Sequence, residues 1–166
     1  MMKKMMTVLM MILVAAACCL AETHTHTITL ISRVEKQDPR YVIRNNETGE
    51  MGASVMYITD EIADQDVRAS FDIVQSCCSN GINRVNFTVS ATELVAFVGG
   101  QVYSTYGVDI EVGGTGYGSS VEFTKTTVGP VSAGTVAASF DVIWPTSENL
   151  VQATYTACVT LSTTAL

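Results

Sequence analysis

Apolar and polar residues alternate in segment after segment of this chain, and a period of two marks half-buried β-strands with one face on a core. Val67, Ala69, Phe71 and Ile73 alternate with Arg68, Ser70 and Asp72, and Val85, Phe87 and Val89 with Asn86, Thr88 and Ser90. Val108, Ile110 and Val112 enclose Asp109 and Glu111. Val136, Ala138, Phe140, Val142 and Trp144 share one parity, and Val151, Ala153, Tyr155, Ala157, Val159 and Leu161 another. Shorter runs at 55–59, 94–98, 101–106 and 121–125 have the same character. Between the runs stand turn signals: Asn80-Gly81, Gly99-Gly100, Gly113 to Gly116, and Gly129-Pro130. Short strands at this spacing predict one all-β domain, a sandwich or a barrel. The acidic stretch 60–67 reads as a loop or a single turn.

The strand parities also predict a core. Phe71, Ile73, Val85, Phe87, Val89, Ile110, Phe140, Val142, Tyr155 and Val159 are expected inside. Trp144, next to Pro145, is expected partly exposed at a rim.

The first 21 residues break the alternation. Lys3 and Lys4 precede an uncharged apolar stretch from Met5 to Leu20, and Cys19-Leu20-Ala21 places small residues at the −3 and −1 positions of a cleavage site. The expectation is a secretory signal peptide over 1–21. A membrane span needs roughly 20 apolar residues and finds fewer here; lipidation at Cys18 or Cys19 is a further alternative. Cleavage after Ala21 removes two of the nine Lys and Arg residues and leaves 7 against 16 Asp and Glu, a net charge of −9. An acidic chain without a basic cluster argues against nucleic acid and anionic membrane surfaces as partners. Three cysteines remain, Cys77, Cys78 and Cys158. Export favours a disulfide. Carrying the parity of the 67–73 strand forward sets Cys78 on the outer face, as Cys158 is in its own strand. That favours a Cys78–Cys158 bridge over Cys77–Cys158, and the odd count leaves one thiol over.

The segment after the cleavage site is extended and free of Gly and Pro: Thr25-His-Thr-Ile-Thr-Leu-Ile-Ser-Arg-Val-Glu35. Ile28, Leu30 and Val34 share a parity, with Thr29 opposite. It reads either as the first strand of the domain or as a donor strand for a neighbouring copy. Asp38-Pro39 and the apolar Tyr41-Val-Ile43 follow. Late in the chain Val131-Ser-Ala-Gly-Thr-Val-Ala-Ala-Ser-Phe-Asp-Val142 is a small-residue turn running into a strand. With these features the chain resembles subunits of chaperone–usher fimbriae, in particular the CS1-type (alpha-class) major pilins. It departs from them in its three cysteines and in the further strand beyond Trp144.

The resemblance implies an immunoglobulin-like β-sandwich over 36–166, incomplete by one strand and completed by residues 22–35 of a neighbour. The donor residues would be Ile28, Leu30 and Val34. It also implies a structural, non-enzymatic role at the cell surface. The partners would be other copies of the chain, a periplasmic chaperone, an outer-membrane usher and possible surface receptors. The alternative is a monomeric secreted binding domain whose first strand pairs internally.

Chemistry-bearing motifs are scarce, and no cofactor is expected. The chain has no GxSxG elbow, HExxH pair, P-loop or CxxC. Gly113 to Gly118 has Gly-x-Gly spacings but opens no helix, which a phosphate site needs. Asp60, Glu61, Asp64 and Asp66 match no calcium-loop spacing. If the mature chain starts at Glu22, its amine, the amides of Thr23 and His24 and the His24 imidazole form a square-planar set suited to Cu(II) or Ni(II); two solvated polar residues are the competing reading.

Overall fold

A computed structural model describes residues 25–35, 41–51, 53–59, 66–145, 150 and 153–166. Their regular structure is all β. The strands are β1 (Thr25–Glu35), β2 (Tyr41–Asn45), β3 (Ala53–Thr59), β4 (Val67–Gln75), β5 (Ile82–Ala91), β6 (Leu94–Val98), β7 (Gln101–Tyr106), β8 (Asp109–Val112), β9 (Thr115–Gly116), β10 (Ser120–Val128), β11 (Val136–Trp144) and β12 (Thr154–Ala165).

They form two sheets. One runs β10-β5-β12-β1-β3, with the β6–β7 hairpin attached to β12; the other runs β2-β4-β11-β8-β9. Every pairing is antiparallel except that of β1 with β12. The chain crosses from one sheet to the other repeatedly, and consecutive strands pair through tight hairpins at β6–β7 and β8–β9. Both hairpins turn on a Gly-Gly pair with positive φ, Gly99-Gly100 and Gly113-Gly114, the backbone that suits the right-handed twist of paired strands.

The alternating positions point inward from both sheets into one shared core, as in a β-sandwich. The two sheets meet directly where the ring of Tyr41 on β2 stands edge-on to Phe87 on β5, with centroids 5.0 Å apart. Within the second sheet Phe71 and Phe140 stack at 5.4 Å on paired strands. All ten residues expected in the core are buried.

Two core expectations need correcting. Trp144 is fully buried rather than at a rim. It continues the inward parity of Phe140 and Val142, and its indole N–H donates to the Thr92 carbonyl at 3.0 Å. The bond satisfies the ring's only polar atom and makes burial favourable. At the other end of β11 the expected parity fails. A register shift between Val136 and Ala138 turns Val136 outward and Ala137 inward, as a bulge does.

Candidate functional site

The place that bears most directly on function is the slot occupied by β1. On one side β1 runs parallel to β12, from Thr27 opposite Thr154 to Glu35 opposite Ser162. On the other it runs antiparallel to β3, from Thr25 opposite Thr59 to Ile31 opposite Ala53. Among the described residues β3 has no other strand partner, so β1 alone joins it to the sheet.

The side chains follow the alternation read from the sequence. Ile28 and Leu30 are fully buried, Thr29 is half-buried and Ile31 is exposed. Ile28 lies opposite Tyr155 and Leu30 opposite Ala157, both buried members of the same core. Val34 pairs with Leu161 along the backbone; its side chain is outside the described set. Burying an Ile and a Leu is worth roughly 1.5–3 kcal/mol each. Each ladder hydrogen bond adds about 1 kcal/mol net.

The far edge of β12 is held independently of β1. Its first residues pair with β6, from Thr154 opposite Phe97 to Thr156 opposite Val95, and its later ones with β5, from Val159 opposite Ala91. Thr92 marks the handover. Its N–H donates to the Cys158 carbonyl, the Cys158 N–H donates to its hydroxyl, each at 2.9 Å, and its own carbonyl receives Trp144. One wall of the slot is therefore tied to β5, β6 and β11, whereas the other, β3, hangs on β1.

The cysteine expectation fails. Cys77, Cys78 and Cys158 are all free. Cys158 does sit on the outer parity of β12, but it is hydrogen-bonded to Thr92, just past the end of β5. Cys77 and Cys78 lie before the start of that ten-residue strand. At about 3.3 Å per residue the two places are on the order of 30 Å apart, far beyond the roughly 7 Å Cα separation a disulfide can span. β4 ends at Gln75, so its alternation does not extend to Cys77 and Cys78.

The outer face of the second sheet carries a ladder of charge. Arg44 on β2 donates to Asp72 on β4 at 2.8 Å, and the Ser139 hydroxyl on β11 donates to the same carboxylate at 2.7 Å. Burial acts to raise the Asp72 pKa, but hydrogen bonds from Arg44, Ser139 and Asn46 and the charge of Arg44 outweigh it and hold the group below its ordinary value. Further along, Arg68 bridges Asp141 at 2.8 Å and Glu111 at 3.1 Å, and Ser70 donates to Asp141 at 2.6 Å. These contacts lock β2, β4, β11 and β8 side by side.

The glycine run forms the β8–β9 hairpin and the turn after it. The Asp109 carboxylate accepts from the N–H groups of Tyr117 at 3.1 Å and Gly118 at 2.5 Å, so these two donors are already used by the chain. The possible copper or nickel set, Glu22, Thr23 and His24, lies outside the described residues, as do Asp60, Glu61 and Asp64. Among the described residues no cluster of three or more His, Cys, Asp or Glu is arranged to hold a metal ion, and no helix is long and apolar enough to cross a membrane.

No family model matches the chain, and no curated protein matches it. Among solved structures, a β-glucosidase from Kluyveromyces marxianus aligns with 72% of this chain and 16% of its own length, at 14% identity and a TM-score of 0.21. A likeness that slight carries no argument about fold or activity.

Proposed function

We propose that this chain is a structural, non-enzymatic subunit of a surface fibre, assembled when one copy's β1 fills the slot between β12 and β3 of the next. One observation carries the reading: the first strand is inserted between two others, buries Ile28 and Leu30 fully and, among the described residues, is the sole attachment of β3. Such a strand fits the same slot at the same register from its own chain or from another copy. Supplied from another copy, each subunit gives a strand forward and receives one from behind. That contact is heterologous and builds an open filament. The sandwich is of the pilin-like, immunoglobulin-like kind, and residues 1–21 direct export. An empty slot exposes two sheet edges and an apolar floor, which invite aggregation, so the subunit needs a chaperone in transit and an usher to order assembly.

A second reading, a monomeric secreted binding domain, is favoured by the pairing of β1 within its own chain on both edges. An SDS gel run with and without boiling separates the two. Strand exchange gives a ladder of multimers that collapses to one band on heating. A single monomer band in both lanes would overturn the fibre reading.

A further inference from the structure

At the end of the sandwich where β4 stops and β5 starts, two loops, 76–81 and 129–135, are zipped together. Ser79 and Val131 exchange both backbone hydrogen bonds at 2.9 Å, and the Gly129 N–H donates to the Gly81 carbonyl at 2.6 Å. The fully buried Gln75 amide pins the first loop from below. It donates to the Cys77 carbonyl at 2.9 Å and to the Ser79 hydroxyl at 2.7 Å. On this fixed support the side chains of Cys77 and Cys78 are exposed. At the same end are Ile82, 75% exposed, its cross-strand partner Val128, 71% exposed, and Val136, 43% exposed and paired with Val74.

Neither stretch forming this end, residues 73–83 and 126–140, contains a charged residue or histidine, in a chain of net charge −7. Arg84, exposed on β5 two residues on from Ile82, flanks this end, but the two loops themselves bring no like charges together between copies. The thiols have no oxidation partner among the described residues of their own chain. Adjacent residues lie about 3.8 Å apart at Cα, closer than the roughly 4.4 Å at which ordinary disulfides begin. Cys158 is about the length of β5 away, on the order of 30 Å.

We propose that this end, whose two loops carry no charge, is a self-association face, where the Cys77–Cys78 pair of one copy forms a disulfide with the same pair of a second copy. The face meets itself, so the contact is isologous and closes at two copies. It would cross-link subunits side by side, apart from any exchange of β1. With oxidised glutathione as oxidant, a thiolate of one copy attacks its disulfide and releases one glutathione. The second copy's thiolate then attacks the protein-side sulfur of the mixed disulfide and releases the other. In sum two protein thiols become one disulfide and oxidised glutathione becomes two reduced glutathiones.

The test is to incubate the reduced protein with oxidised glutathione, block free thiols and run boiled samples on a non-reducing gel, where only covalent links survive. Wild type and Cys158→Ser should give a dimer that dithiothreitol abolishes, and the double variant Cys77→Ser/Cys78→Ser should give none. Ile82→Lys/Val128→Lys, which alters exposed positions only, should slow dimer formation several-fold by bringing like charges together. The proposal is overturned by a dimer from the double Ser variant, by mixed disulfides with glutathione but no dimer, or by peptide mapping that places Cys77 or Cys78 in a bond with Cys18, Cys19 or Cys158. An unchanged rate in the double Lys variant would reduce the face to two colliding thiols and overturn it equally.

Discussion

Trp144 shows how one polar atom decides where a large side chain goes. The chain has a single tryptophan, buried with its N–H on the Thr92 carbonyl, so intrinsic fluorescence reports on this junction alone. The folded protein should emit at short wavelength and shift to the red as it unfolds. Trp144→Phe should cost roughly 1–3 kcal/mol, measured by urea denaturation followed by circular dichroism, because it leaves a buried carbonyl without its donor. Phe140 has no polar obligation; it is 3% exposed and stacked on Phe71. Phe140→Ala should cost about 3–5 kcal/mol through lost burial and the cavity left behind. A loss under about 1 kcal/mol would contradict the packing described for β11.

Asp72 sets a pH dependence at the same scale. Its pKa is lowered in the folded state from 3.8 by Arg44, Ser139 and Asn46 despite the opposing effect of burial. Between the folded and unfolded values the unfolded chain binds more protons, so stability rises with pH there. The contribution is complete above the unfolded value and is lost as pH falls through the folded one. Asp72→Asn should therefore lower the urea midpoint at neutral pH and flatten its fall below about pH 4. A midpoint that falls with acid as steeply in Asp72→Asn as in wild type would assign the acid sensitivity to other carboxylates.

At the scale of elements, alternation made most of the strands legible. The runs at 94–98 and 101–106 became β6 and β7 with those bounds, and the 136–144 run became β11. Parity stays true while a strand stays regular, and it misleads where regularity ends: at the bulge between Val136 and Ala138, and beyond Gln75, where the chain leaves β4 before reaching Cys78. Sheet order was not legible. The parallel partnership of β1 with β12 joins the first and last strands described and depends on non-local packing that leaves no mark in either segment. The burial of Trp144 is illegible for a similar reason, since its partner lies 52 residues away.

The β1 parity yields its own test. Leu30→Asp puts a carboxylate at a fully buried position, and a buried unpaired charge costs several kcal/mol. Thr29→Asp, one residue away and half-buried, should cost much less. On an unboiled gel Leu30→Asp should lose the multimer ladder that Thr29→Asp keeps. Equal loss in both would mean that the two faces of β1 are not distinguished in assembly.

For the molecule as a whole, the question is whether β1 belongs to its own sandwich alone or can be supplied from outside. The two sheets share one core, and β12 is held from its far side by β5 and β6 without help from β1. β3 has no such second support among the described residues. Taking β1 away should leave a folded but weakened body, open between β12 and β3. The most direct measurement is thermal melting of a version lacking residues 22–35, with and without a synthetic peptide of residues 22–35, beside the intact protein. The account predicts that the truncated protein melts well below the intact one and recovers most of the difference as peptide is added, in a concentration-dependent way. A truncated protein that melts with the intact one and ignores the peptide would contradict it.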